Sequence, residues 1–318
     1  MIRISICIVT HNDKSLIGEC IDSIKKETTS SFEIIVIDND SEDDTIPYVR
    51  ENYPEVTIIE NGANLGFPIA NNRGIKESSG KYVILLNPDT VIMESALDKM
   101  ADFLESHPDA AVVGPQLFFP DGSYQFSYDN GISIRNFFIM LIPAEIYHTF
   151  RNIFTHKEKT TYIPGKQEIE SLQTKKVARV RGCSMMVRHD VIRKVGLLDE
   201  RFFIYCEEVD WQLRMRENGW NIYYFPKCRI IHYWGASTRK RHKKRFNVIQ
   251  WQSNYKYFEK HYGKPGIMIL RLMVFCHALI RSVLFPLKKI TGTAGENEAG
   301  ELKQWWKTVT LDPYKSQQ

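Results

Sequence analysis

The chain has no CxxC pair: its six cysteines (Cys7, Cys20, Cys183, Cys206, Cys228 and Cys276) stand far apart. That spacing excludes the common zinc and dithiol redox sites, and it reads as reduced thiols in a cytosolic protein rather than a disulfide framework. No Gly-x-Gly-x-x-Gly follows the first strand-like run, and no Gly-rich, Lys-bearing phosphate loop stands near it. The first absence disfavours a dinucleotide oxidoreductase and the second a nucleotidyltransferase. Charge of one sign is also scarce, since 42 Lys and Arg against 38 Asp and Glu leave a net +4. Such a balance is too mild to argue for nucleic acid, yet it suits anionic phosphates or lipid head groups as partners. No internal repeat is visible, and Met1–Val9 is expected to be a strand rather than a secretory leader because no cleavage region follows it.

What is there is a chain of 318 residues, 43% apolar and 25% charged, long enough to bury a large core as one α/β domain plus an appendage. Three apolar, β-branched runs end in polar clusters. Ile2–Val9 leads into Thr10, His11 and Asn12, Glu33–Ile37 into Asp38, Asn39, Asp40 and Ser41, and Tyr82–Leu86 into Asn87, Pro88 and Asp89. Amphipathic segments follow the first two, over Lys14–Lys26 and Asp43–Asn52, with Leu16, Cys20, Ile21 and Ile24 on one face of the former. Further elements are expected at Val56–Glu60, Phe67–Ser78 and Glu94–Glu105. Near-continuous apolar strands alternating with helices predict a mostly parallel central sheet with flanking helices on both faces. Ligands gather at the carboxyl ends of strands in such a sheet. The three polar clusters should therefore share one rim, where Asp89 is the first candidate to hold a divalent cation and, through it, a diphosphate.

This alternation spans residues 1–125. Residues 126–176 are irregular, with an apolar run at Phe137–Ile142 and a Lys-rich stretch at Thr155–Lys176, and read as a variable insertion. Order returns over 177–262, beginning with a strand-like run at Val177–Val187 and a helix from His189. Within it, Phe202–Arg214 (FFIYCEEVDWQLR) sets Glu207, Glu208 and Asp210 within four residues. Clustered acids repel, so one of them should carry a raised pKa or be held by a cation or by Arg214. Acids at a helix start also complement the macrodipole, which is the plain structural reading; the aromatic lead-in and the third acid favour a base or a metal-linked site.

Taken together, SICIVTHN (5–12), IVIDNDSEDDT (35–45), NLGFPIANNRGI (64–75), LLNPDT (85–90), RGCSMMVR (181–188), VGLLDERFFIYCEEVDW (195–211) and IIHYWG (230–235) resemble the inverting family 2 glycosyltransferases of GT-A fold, especially their rhamnosyltransferase-like branch, over residues 2–262. The resemblance implies an enzyme that takes a nucleotide-diphosphate sugar, a dTDP- or UDP-sugar with dTDP-rhamnose as one candidate, to a glycan or lipid-linked glycan in cell-surface polysaccharide synthesis. It implies that Asp38 accepts the imide N–H of a pyrimidine, as a carboxylate suits, with Thr10, Asn12 and Asn39 lining the same pocket. Asn64, Gly66, Asn71 and Asn72 would serve ribose and phosphate. Read alone, Asp38 also suits an Asx turn and Asn64 a helix cap. Asn87 stands where the family has the first acid of its DxD motif, so only Asp89 offers a charged oxygen. His232 matches the family's second ligand for Mn2+ or Mg2+, and imidazole suits Mn2+ better. A histidine after an apolar strand is otherwise a core residue. The family's general base falls on Glu208, with Glu207 the alternative; Asp210, Arg214, Trp234 and Arg239 are expected behind the site or near the acceptor. Asn87 and Glu208 also leave open a catalytically inactive sugar-nucleotide or glycan-binding module.

Two further segments stand out. RKRHKKR (239–245) holds six cations in seven residues, suiting a solvated loop, a diphosphate clamp or a phosphorylated acceptor, and it lacks the interleaved aromatics of a nucleic-acid site. Residues 263–318 read as a helical extension for membrane association or oligomerisation. In Gly266–Lys289 Arg271, His277 and Arg281 interrupt the apolar run, so a basic amphipathic helix lying on a membrane surface, with His277, Arg281 and Lys288 in a stripe opposite a wide apolar face, is expected rather than a spanning one. Trp305 and Trp306 would anchor it at the interface. The expectation is a cytoplasmic protein, peripheral on the inner face of the membrane, with a packed or homodimeric helix as the alternative.

Overall fold

The computed structural model of the chain describes residues 1–142, 173–233, 243–292 and 298–315. Trp234, Arg239 and most of the expected insertion lie outside them, as do the side chains of 243–247. The chain divides into two compact units, residues 1–130 with 163–243 and residues 131–162 with 244–318. Residues 244–262, grouped by the sequence pattern with the catalytic part, belong to the second unit.

In the first unit β1 (Ile4–Thr10), β2 (Phe32–Asp38), β3 (Thr57–Glu60) and β4 (Tyr82–Leu86) alternate with α1 (Lys14–Glu27), α2 (Thr45–Asn52) and α3 (Phe67–Glu77). There follow β5 (Thr90–Met93), α4 (Ala96–Ser106), β6 (Ala110–Phe118), β7 (Tyr124–Gln125) and β8 (Tyr128–Asp129). After α5 (Ile134–Leu141), which belongs to the second unit, come β9 (Lys175–Val177), β10 (Arg179–Val180), β11 (Ser184–Arg188), α6 (His189–Val195), α7 (Glu207–Glu217) and β12 (Asn221–His232). The main sheet runs β3-β2-β1-β4-β11-β6-β12-β5, with β7 on β6 and β9 on β12. Its first four strands are parallel, as the alternating pattern requires. β11 enters antiparallel to both β4 and β6, and β12 runs parallel to β6 but antiparallel to β5, so the sheet is mixed.

Alternate side chains of each strand feed two cores. Ile4, Ile6, Ile8, Val36 and Ile84 pack with α1, α2 and α4, whereas Cys7, Ile35, Ile37, Val83 and Leu85 pack with α3, α6 and α7. Burying each such aliphatic side chain contributes about 1.5–3 kcal/mol, and it is this two-sided burial that fixes register. Thr10 is then paired with Asp38, and Asp38 with Glu60, at one carboxyl rim. On the far side of the sheet, antiparallel pairing sets His232 opposite Thr90, next to Asp89.

The second unit holds α5, α8 (Lys243–Ile290, broken at Gly263 where φ is 64°) and α9 (Glu298–Val309). Here the basic stripe expected on the outside of α8 is turned inward. His277 is buried with its Nδ1 against the Leu141 carbonyl, and Arg271 donates to the carbonyls of Val309 (2.8 Å) and Leu311 (3.0 Å). Arg281 and Lys288 both reach Glu298 Oε1, at 3.4 and 2.9 Å. The physical reason is Glu298: it lies beyond the segment that shows the amphipathic pattern, and a half-buried ion pair is the partner these cations find in place of lipid head groups. Trp305 likewise packs inward, its ring centroid 4.1 Å from His277 and 5.4 Å from Trp251, while Trp306 stays exposed against Phe275.

Candidate active site

The rim formed by β1 and β2 is a web of backbone and amide contacts. Asn39 N donates to Thr10 O (2.9 Å), and Thr10 Oγ1 to Asp13 Oδ2 (3.1 Å). Asn12, held at φ 62°, accepts at Oδ1 from Glu42 N (2.7 Å) and Asp43 N (3.0 Å), so it ties the loop after β1 to the loop after β2. Left-handed geometry at a non-glycine residue costs of order 1–3 kcal/mol and persists where the surroundings over-determine it. Asp38 is buried and accepts from Ser41 N (3.1 Å) and Ser41 Oγ (2.5 Å), three residues on, so its side chain closes the loop after β2.

The turn before α3 joins the same rim. Asn39 Nδ2 donates to Gly66 O (3.2 Å), Asn64 Oδ1 accepts from Gly66 N (3.2 Å), and Phe67 N donates to Phe203 O (2.7 Å). Gly66 has φ 84°, and a Cβ there would lie 2.4 Å from Phe203 O. Only glycine allows the approach that brings this turn to the segment leading into α7. Asn71 and Asn72 are used differently from the sequence expectation. Asn71 Nδ2 bonds Phe67 O of its own helix, and Asn72 donates to Leu198 O and Glu200 Oε1 (both 2.9 Å) and accepts from Leu198 N (3.0 Å). A fully buried amide with both ends engaged is a strut holding residues 198–200.

Asp89 and His232 meet on the other side of β4. Asp89 Oδ1 is buried, has no hydrogen-bond partner and lies 3.3 Å from His232 Nε2. His232 Nδ1 is 2.6 Å from Gln125 Oε1, and Gln125 Nε2 donates back to His232 O (3.2 Å). An amide oxygen can only accept, so Nδ1 carries a proton and Nε2 faces Asp89. Burial opposes the charged imidazole, but Cys183 and Asp89 outweigh it and hold the pKa up, at about 10. At that pKa Nε2 carries a proton toward Asp89; once it is lost, a buried carboxylate oxygen beside an imidazole nitrogen fixed by its other face is a donor set that fits a divalent cation. Among the described residues no group of three or more His, Cys, Asp or Glu could hold a metal. Asn87 N donates to Cys183 O (2.9 Å), and no bond of its side chain is seen.

The acids stand at the start of α7, which follows two left-handed residues, Tyr205 (φ 70°) and Cys206 (φ 71°). Glu207 is buried, and its Oε2 has no partner. Burial, reinforced by the charge of Glu208, pushes its carboxyl well above the usual range. Glu208, by contrast, has a partner: its Oε1 accepts from Arg179 Nη1 at 2.9 Å, and its side chain keeps 13% of its exposure. Arg179 also grips Asp129 through two 2.6 Å bonds. Burial works against this guanidinium, but its two carboxylate partners raise its pKa further. Asp210 is fully buried against Arg214 Nε (2.9 Å), whose other nitrogens bond Val195 O and Leu197 O, so both hold α7 in place.

Gly182 and Cys183 touch both halves of the site. Cys183 O holds Asn87, and a Cβ on Gly182 would sit 3.1 Å from Glu208 Cγ. Sequence reasoning missed Arg179, Asp129 and Gln125. The available signal was an arginine inside the apolar run VARV, where an unpaired charge is costly and demands a carboxylate. A surface cavity of about 380 Å³ lined by Tyr128, Lys175, Lys176 and Arg216 contains none of these acids.

Solved structures that share this mixed sheet are glycosyltransferases of GT-A fold. A mannosyltransferase from Pyrobaculum calidifontis, in complex with GDP-Man and Mn2+, superposes with a TM-score of 0.56 at 16% identity, covering 98% of this chain and 81% of that one. The sequence model of Glycosyl transferase family 2 matches residues 5–196, and the chain belongs to that family. It is similar to an N-acetylglucosaminyl-diphospho-decaprenol L-rhamnosyltransferase of Mycobacterium tuberculosis, 28% identical over 241 residues, 72% of this chain and 76% of the relative. A low-salt glycan biosynthesis hexosyltransferase of Haloferax volcanii is 24% identical over 234 residues, 72% of this chain and 65% of that protein.

Proposed function

We propose that this family 2 glycosyltransferase is metal-dependent and inverting, and that it moves a sugar from a nucleotide diphosphate to a glycan or lipid-linked glycan. The observation that carries the reading is the pair of adjacent acids in different surroundings at the start of one helix. Glu208 is ion-paired, partly exposed and makes no hydrogen bond through Oε2, as a general base requires, while Glu207 is buried with its Oε2 unpartnered. In the reaction Glu208 takes the proton of an acceptor hydroxyl as that oxygen bonds the anomeric carbon. The bond from that carbon to the diphosphate breaks on the opposite face, and the nucleoside diphosphate leaves with the electron pair. A divalent cation held by Asp89 and His232 would supply positive charge beside the departing diphosphate. Asp38, Thr10, Asn12 and Asn39 frame the nucleobase side, with Asn64 and the Gly66 backbone toward ribose and phosphate.

The name of the mycobacterial relative supports dTDP-rhamnose as the first donor to test and a lipid-linked N-acetylglucosaminyl diphosphate as the first acceptor. Such an acceptor would bring the chain to the cytoplasmic face of a membrane, where its free cysteines stay reduced. The test is a panel of nucleotide sugars scored for thermal stabilisation with Mn2+ and with chelator, followed by assay of nucleoside diphosphate release. One donor should stabilise only with metal and be turned over, since a ligand that binds the native state raises its melting temperature by mass action. Stabilisation without turnover on any acceptor would instead mark an inactive binding module, and equal stabilisation with chelator would refute the metal.

A further inference from the structure

α8 presents an apolar face to the outside and its charges to the inside. Met268, Leu272, Phe275, Leu279, Val283, Leu287 and Ile290 recur every three or four residues and are all exposed, Leu272 at 61% and Ile290 at 82%. Among the described residues this is the one helix long and apolar enough to cross a membrane by length and composition. Its most apolar 18-residue stretch has a mean hydropathy of 1.9, yet only 22% of that stretch is buried. A core helix of a soluble protein with this hydropathy is mostly covered.

We infer that the outer face of α8 lies in the hydrocarbon edge of a lipid bilayer, as a monotopic hairpin with α9 behind it. The ion pairs choose lipid over other occupants. Arg281 is shared between Glu298 and Glu301, Lys288 is bound to Glu298, and Arg271 is spent on the carbonyls of Val309, the last residue of α9, and of Leu311 beyond it. Placing cations against an inner partner while apolar residues face outward is the arrangement an apolar solvent imposes, because unpaired charge in hydrocarbon is costly. The exposed stripe carries no charge from Met268 to Leu287, and Lys289 stands at its end, where a long cation reaches the head groups. At a rise of about 1.5 Å per residue the stripe is about 33 Å long. That is enough to span, but Glu301, Lys303 and Lys307 of α9 are exposed, so the hairpin is polar on one side and apolar on the other. A two-sided hairpin of this kind lies along the interface, its apolar face sunk about 5–10 Å.

The inference deepens the proposed membrane location and does not depend on which sugar is transferred, since its test needs no donor or acceptor. The full chain is sedimented with vesicles of phosphatidylcholine alone and of phosphatidylcholine with phosphatidylglycerol, at low and high salt. Association should be about equal for both lipids and change less than twofold with salt, because the driving surface is apolar. The triple substitution Leu272→Glu, Leu279→Glu, Val283→Glu should lower the vesicle-bound fraction at least tenfold while preserving donor-induced thermal stabilisation. In the unaltered chain, lipids brominated in their acyl chains should quench Trp306, which packs on Phe275 at 5.6 Å between centroids, and Trp306→Phe should remove that component. The quenching itself is read on the unaltered chain and needs no variant to fold. Binding that requires the anionic lipid and is lost in salt would overturn the inference in favour of a basic surface. So would absence of vesicle binding together with a dimer dissolved by the triple substitution, which would make the face a contact between two copies.

Discussion

The two units solve the burial problem in opposite directions. In the first, aliphatic strands fill two cores and the polar residues stand at strand ends, where Asn12, Asp38, Asn39 and Gly66 are cross-linked by short hydrogen bonds. In the second, the cations of α8 face inward to Glu298 while Leu272, Leu279 and Val283 face out. The same amphipathic grammar thus runs in two directions: apolar residues inward in the first unit, and apolar residues outward on one face of α8.

That comparison can be broken most forcefully by truncating a core residue of the first unit. Trp211 is fully buried and donates to Gly196 O at 2.7 Å, so Trp211→Ala should cost about 3–5 kcal/mol in urea unfolding. A loss under 1 kcal/mol would show that this core is not the stabilising one. Next comes Gly66→Ala, where a Cβ at positive φ would strike Phe203 O; a loss of about 1–3 kcal/mol is expected, with weaker donor stabilisation because the turn leaves the rim. Unchanged donor stabilisation would detach this turn from the nucleotide site.

A smaller effect tests how the first unit treats a buried carboxylate. Asp98 accepts from Thr29 N (2.8 Å), Thr29 Oγ1 (3.0 Å) and Ser30 N (3.0 Å). Burial raises its pKa, but these donors outweigh burial and depress it. A depressed folded-state pKa means stability that is fully present above the ordinary aspartate value near 4 and is lost as pH falls through the lower folded-state value. Asp98→Ala should therefore cost about 1–3 kcal/mol at pH 7, and the difference from the parent should shrink as pH drops below about 4. The smallest effect belongs to the second unit: Leu279→Ala, at an exposed position, should change stability in aqueous buffer by less than about 0.5 kcal/mol. A core-sized loss would mean that this face is covered in solution.

Much of the first unit was legible because period and composition speak directly. The helix read at Lys14–Lys26 is Lys14–Glu27, and the one read at Phe67–Ser78 is Phe67–Glu77. Strand polarity was not legible: an apolar run such as Ser184–Arg188 looks the same in either direction, and only packing between β4 and β6 sets it antiparallel. In the candidate site, the positions of Asp89 and His232 could be named from motifs, but not their partners. Gln125 lies 107 residues from His232, and Asp129 lies 50 residues from Arg179. The orientation of α8 escaped for a related reason. A helical wheel separates two faces without saying which meets solvent, and the deciding residue, Glu298, stands in another helix.

The account rests most on the division of labour between Glu207 and Glu208. Its most direct measurement compares Glu208→Gln with Glu207→Gln, following release of nucleoside diphosphate from the donor that stabilises the parent and, in the same preparations, the donor-induced rise in melting temperature. Loss of the general base should lower turnover in Glu208→Gln by about 100- to 10,000-fold with the thermal shift kept. Glu207→Gln, which alters a buried carboxyl with no partner at Oε2, should stay within about tenfold of the parent. Near-parent turnover in Glu208→Gln with collapse in Glu207→Gln would contradict the assignment, as would loss of the donor-induced shift in Glu208→Gln.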